Sequence, residues 1–152
     1  MVASQPTCEN NEKKPNNPVF RHQLSVRLYD TDAAGVLYFG SQFRLAHDAF
    51  ETFMAQHGFP ISIMMTEPYL LVVRHAQSDY TAPVMLGDTV DIDLYIERLG
   101  RTSFTCNYTL QVNDMPVGKA KTVHVTIDRK TRNAVAMPGE MRAALQLHKV
   151  DQ

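Results

Sequence analysis

The chain is poor in the residues that mark several large function classes, beginning with cysteine. Its two cysteines, Cys8 and Cys106, fall in a polar segment and a strand-like one, which argues against a structural disulfide and for a reducing compartment. No C-x-x-C and no Cys/His cluster with zinc spacing occurs, so the sequence predicts no metal. Charge of one sign is equally scarce. Fifteen Lys and Arg against 16 Asp and Glu leave a net charge of −1, which speaks against nucleic acid or an anionic membrane as partner. No apolar run approaches the roughly 18 residues a membrane span needs, and no basic start leads into an apolar stretch as in a secretory signal. A G-x-S-x-G elbow is missing, which removes support for α/β-hydrolase chemistry, and so is a Gly-rich phosphate loop. What remains is an ordinary globular composition, 44% hydrophobic and 20% charged, in a length that suits one cytoplasmic domain.

Residues 1–18 are polar, Asn- and Pro-rich and without periodicity, which predicts a flexible arm ahead of a domain over residues 19–152. From Phe20 to Tyr29 apolar residues alternate at Phe20, Leu24, Val26 and Leu28, a strand pattern that ends in the turn formers Asp30-Thr31-Asp32-Ala33-Ala34-Gly35. After a short apolar run the period changes. Phe43, Ala46, Phe50, Phe53 and Met54 recur at helical spacing, with Gly58 as a stop and Pro60 beyond it. Strands then dominate: Leu70 to Tyr80, Thr89 to Glu97, Phe104 to Val112 and Val117 to Ile127. A short helix is expected over Pro138 to Leu147. The short turns between the later strands imply antiparallel neighbours, so one long helix faces an antiparallel sheet in an α+β fold. Such a sheet leaves an edge to be covered or paired with a second subunit.

Chemistry concentrates in Asp30-Thr31-Asp32-Ala33-Ala34-Gly35-Val36-Leu37-Tyr38-Phe39. Two carboxylates leave a strand end just before a helix, and the small residues let another molecule approach the backbone. A helix N-terminus supplies unpaired N–H groups and the positive end of the helix dipole, suited to a developing oxyanion. A carboxylate beside such donors can activate water or attack an acyl carbonyl itself. The same pattern also serves as an N-cap or Asx-turn pair, and the residues alone leave both readings open.

The DTDAAGVLYF segment followed by an amphipathic helix resembles the 4-hydroxybenzoyl-CoA thioesterase-like branch of the hotdog superfamily. The likeness spans about Phe20 to Ile127 and includes the later Tyr80-Thr81-Ala82-Pro83-Val84-Met85-Leu86-Gly87-Asp88. It implies a hotdog fold, a long central helix packed on a five-stranded antiparallel sheet, assembled as a homodimer or homotetramer. It also implies hydrolysis of an acyl-CoA without metal or cofactor. By position, Asp32 would be the catalytic carboxylate and Asp30 a structural one. The Phe39 N–H would polarise the thioester carbonyl, and Gly35, Tyr38 and His75 would line the acyl pocket. Within the branch, the D-T-D-x-A-G-V-x-Y-F pattern is most similar to 1,4-dihydroxy-2-naphthoyl-CoA hydrolases, which serve phylloquinone and menaquinone synthesis. Tol-Pal-associated thioesterases usually carry His where this chain has Phe39, whose uncharged ring suits a naphthoyl group. The rival readings are a thioesterase for short or medium aliphatic chains and a non-catalytic acyl-CoA-binding module.

Coenzyme A needs cations for its phosphates, and Arg98, Arg101 and Arg129 are the candidates, near a turn and after the last strand. His47, Asp48 and Glu51 on the helix invite a metal reading, but adjacent His and Asp diverge by about 100° on a helix. His75 also reads as an ordinary hydrogen-bonded strand histidine. Cys106 reads as a small core residue.

Overall fold

The computed structural model describes residues 18–151, so the arm expected over residues 1–18 lies, Pro18 apart, outside the described residues. Five strands, β1 (Phe20–Ser25), β2 (Tyr69–Tyr80), β3 (Thr89–Leu99), β4 (Ser103–Val112) and β5 (Met115–Asp128), form one antiparallel sheet in the order β1-β3-β4-β5-β2. The helices are α1 (Ser41–Gln56), a single turn α2 (Ile61–Met64) and α3 (Gly139–Gln146). The first two strands therefore lie on opposite edges of the sheet, and α1 carries the chain from one to the other. This is the hotdog arrangement.

Alternation dictates which face α1 meets. Val90, Ile92, Leu94 and Ile96 of β3 are fully buried, while Asp91, Asp93, Tyr95 and Glu97 between them are only half-buried. Phe104, Cys106, Tyr108 and Leu110 continue that face on β4. The stripe of α1 that meets it is Leu45, Ala46, Ala49, Phe50, Phe53 and Met54, all nearly sealed from water, and Met141 and Leu145 of α3 close one end. Burying each of the large side chains stabilises the fold by about 1.5–3 kcal/mol.

The strand expected to run to Tyr29 ends at Ser25 instead. Leu28 to Asp30 form a 3-10 turn that leaves Leu28 and Tyr29 about three-quarters exposed. The cause is Asp30. Its carboxylate takes the Arg27 N–H at 2.9 Å and the Arg44 Nε at 2.6 Å, and it is completely buried. Arg44 in turn lies over the Tyr29 ring, 5.3 Å from its centroid. A bond this strong to a group on α1 outweighs continuing the alternation for one more pair.

At the opposite side, β2 pairs only with β5 among the described residues, and Val73, Arg74, His75, Ala76 and Gln77 along it are exposed. A bulge between Val73 and His75 bends this edge.

Candidate active site

The turn that carries Asp32 is shaped by its own backbone bonds. Asp32 N–H donates to Val36 O at 2.9 Å, Gly35 N–H to Asp32 O at 3.0 Å, and Ala34 N–H to Asp32 Oδ1 at 2.8 Å. Gly35 has φ +74°, which an L side chain resists, so the turn needs glycine there. The Asx-turn reading of the motif is thus realised, and it occupies one carboxylate oxygen. Asp32 Oδ2 has no protein partner among the described residues, and the side chain is exposed. Asp30 is its opposite: buried, bonded through both oxygens, and holding the start of the loop to α1. That bond raises the Arg44 pKa further above its ordinary value, so the guanidinium stays charged.

Asp32 faces a cavity of about 440 Å³ that Val36, Leu37, Phe39, Gln42, Tyr80 and the Thr81–Val84 turn also line. The volume lies within the usual range for small-ligand sites. Sequence reasoning brought Asp32 and Phe39 together, and the structure places both on this one cavity. Phe39 precedes α1 in a turn. Its flanks are tied, Tyr38 N–H to Asp30 O at 2.9 Å and Ser41 N–H to Tyr38 O at 2.8 Å. The N–H groups of Phe39 and Gly40 have no partner among the described residues, and Gly40 provides no side-chain cap. They are free donors at the positive end of α1.

The other expected pocket residues fall differently. Gly35 shapes the turn, and Tyr38 lies with its ring 4.4 Å from that of Phe39 by centroids, but neither is among the lining residues. His75 lies on the exposed edge strand, its Nε2 3.3 Å from Gln77 Oε1, and does not reach the cavity within this chain. Gln42 and Tyr80 line it without having been singled out. Gln42 reads in sequence as a polar helix residue, although it is 1% exposed. Nothing in the sequence signals this burial, which depends on Gly118, where a Cβ would collide with Gln42 Oε1.

The three candidate cations separate as well. Arg129 donates through Nε to Glu67 O at 2.8 Å and through Nη2 to Met65 O at 2.8 Å, so it fastens the loop before β2 and keeps only Nη1 free. Arg98 and Arg101 are exposed, and their side chains make no hydrogen bond or ion pair among the described residues. Arg98 borders a cleft of about 620 Å³ with Ser103 and Lys149. On α1, His47 turns to Glu51 at 3.1 Å and Asp48 to His22 at 3.1 Å, so the adjacent pair diverges. Cys106 is buried, and desolvation pushes its thiol up to about 12. No helix of the described residues is long and apolar enough to cross a membrane.

The family model described as the thioesterase-like superfamily matches residues 26–145. Among curated proteins, a 1,4-dihydroxy-2-naphthoyl-CoA hydrolase of Synechococcus elongatus is 33% identical over 130 residues, covering 84% of this chain and 96% of that protein. A protein of the same name from Nostoc punctiforme is 32% identical, covering 87% and 90%. Among solved structures, a 1,4-dihydroxy-2-naphthoyl-CoA thioesterase from Synechocystis superposes with a TM-score of 0.80 at 27% identity, covering 84% of this chain and 96% of that one. With the family's pattern matched over most of its length and its hotdog sheet and helix in place, the chain belongs to the thioesterase-like superfamily.

Proposed function

We propose that this chain is an acyl-CoA thioesterase whose substrate is 1,4-dihydroxy-2-naphthoyl-CoA, placing it in quinone synthesis, and that it works as a homodimer or homotetramer. One observation carries the catalytic part: a carboxylate with a free oxygen and an unpartnered N–H at a helix start belong to residues lining the same cavity. The substrate rests on the similarity to hydrolases of that name and on the aromatic pair Tyr38 and Phe39 beside the cavity. The oligomer rests on the unpaired, partly apolar edge of β2.

In the reaction, the Asp32 carboxylate either takes a proton from water as its oxygen adds to the thioester carbonyl, or adds to that carbon itself. In both routes the carbonyl π electrons move to oxygen, and the Phe39 N–H receives the oxyanion. Collapse breaks the C–S bond and coenzyme A leaves as its thiolate. Water supplies the oxygen of the product acid, directly or by hydrolysing the acyl-Asp32 anhydride. The nucleotide end of the substrate meets Arg98 and Arg101, with Arg129 contributing through Nη1 alone.

Steady-state assay of the wild type and Asp32→Asn with the naphthoyl thioester tests the reading. The variant is expected to lose at least about a hundredfold in kcat, the lower end for removing a general base. Retained activity would show that another group does the work. A preference for aliphatic over naphthoyl thioesters would overturn the substrate, and a monomer by light scattering would overturn the assembly.

A further inference from the structure

The N–H groups of Phe39 and Gly40 can stabilise an oxyanion only if the backbone that bears them is held still. It sits in a turn ahead of α1, outside the helical hydrogen-bond ladder. Main-chain bonds fix Tyr38 and Ser41 on either side of it. The Phe39 carbonyl is fixed by a side chain from far along the chain: the Tyr80 hydroxyl donates to it. Tyr80 is the last residue of β2, and its ring lines the Asp32 cavity. With the carbonyl aimed at Tyr80, the N–H of the same trans peptide, that of Gly40, points the opposite way within the peptide plane.

A second side chain sets the distance this bond requires. Gln42, in the first turn of α1, is buried, and the two hydrogens of its Nε2 are shared among Ser78 Oγ at 2.6 Å, Asp79 O at 3.0 Å and Lys119 O at 3.0 Å. Two backbone carbonyls on one nitrogen fix the amide orientation, with Oε1 turned to Gly118. The helix start is therefore fastened to the end of β2 that carries Tyr80. Gly118 is what lets the amide come so close to β5.

We propose that Tyr80 is a positioning residue for thioester hydrolysis: its hydroxyl holds the Phe39–Gly40 peptide, which fixes the Gly40 N–H directly and, through the Phe39 Cα, steadies the Phe39 N–H of the preceding peptide. Gln42 supports it by setting the gap between α1 and β2. This rests on the assignment of Phe39 as the oxyanion donor above. Neither residue touches the reacting atoms, and both act through the backbone.

Tyr80→Phe removes the hydroxyl and keeps the ring that forms the cavity wall. The expected result is a fall in kcat of about tenfold, the effect of losing one hydrogen bond from the aligned state. KM for the naphthoyl thioester should stay within about twofold, because a wall contact contributes equally to substrate and transition state. Tyr80→Leu, which also removes the wall, should lower kcat similarly and raise KM. A residue serving only as wall would leave Tyr80→Phe at wild-type kcat and KM and let Tyr80→Leu raise KM alone, and either result overturns the proposal. Asp32→Asn assayed alongside separates the two levels. If Asp32→Asn is inactive and Tyr80→Phe is fully active, the positioning role fails while the catalytic reading stands. If Asp32→Asn is active, the catalytic reading fails first.

Discussion

His124 gives the sharpest physical test of how this core is built. It lies on β5, directly opposite Phe104 on β4, and is 2% exposed. Its ring stacks on Phe50 at 4.2 Å and on Phe104 at 5.0 Å, and its Nε2 meets Thr122 Oγ1 at 2.9 Å, which in turn is 3.0 Å from Tyr108 Oη. Burial pushes the imidazole down to about 4 from the ordinary 6.5, and His47 adds to the shift. The folded protein keeps this ring neutral where the unfolded chain would protonate it. At pH 7 and above both states are neutral and stability is unaffected. Below 6.5 the unfolded state gains a proton that the folded state refuses, so stability falls until the folded pKa near 4 is passed. The loss attributable to His124 is about 2 kcal/mol at pH 5 and about 3 kcal/mol below pH 4. Urea unfolding of the wild type and His124→Phe at pH 7 and pH 5 measures it. Phe keeps the stack and shifts stability by an amount that does not depend on pH, while all other titrations are shared. The wild type should therefore lose about 2 kcal/mol more than the variant between the two pH values. Parallel losses would refute the idea that His124 is held neutral by burial.

Three further outcomes follow from buried groups. Thr126 is fully buried and its Oγ1 has no hydrogen-bond partner among the described residues, so Thr126→Val should leave stability unchanged or raise it by about 1 kcal/mol, read from the urea midpoint. Gly118→Ala should destabilise by about 1–3 kcal/mol in the same assay, since its Cβ would collide with Gln42 Oε1 and stand 2.9 Å from Asp79 O. In a Cys8→Ser background, Cys106 should resist an aromatic disulfide reagent at pH 8 and react only on unfolding, because its thiol is buried and pushed up to about 12.

Much of this fold was readable wherever one periodicity held for several residues. The β3 alternation from Val90 to Glu97 assigned inward and outward faces correctly because both neighbours of that strand bury the same side. The heavy stripe of α1 was likewise visible from spacing. The failures share a cause, which is that a distant partner decided the outcome. Leu28 continues the alternation of β1, yet Arg44 on α1 draws Asp30 inward and curls the chain into a turn. Gln42 looks like a surface residue because nothing nearby in sequence announces Ser78, Asp79 or Lys119. Arg129 looked free for phosphate, and the carbonyls that occupy it lie before β2, some 60 residues earlier. The resemblance already divided Asp32 from Asp30 as catalytic and structural, whereas the exposure of the one and the burial of the other required the folded turn.

The sheet order has a consequence for how the molecule is made. Among the described residues β1 pairs only with β3, and paired residues such as Arg21 and Asp93 are 72 positions apart. During synthesis at roughly 5–20 residues per second, the first strand waits on the order of ten seconds before its partner exists. Throughout that interval it is an unpaired edge, and α1 can form but has no sheet to lie on. Closing so large a loop first is entropically unfavourable, so the local hairpins β3–β4 and β4–β5 should assemble ahead of it. The turn bearing Asp32, which follows β1 and is anchored to α1 through Asp30, would then be among the last parts to take shape. A nascent chain would be committed to its fold well before it could turn over substrate.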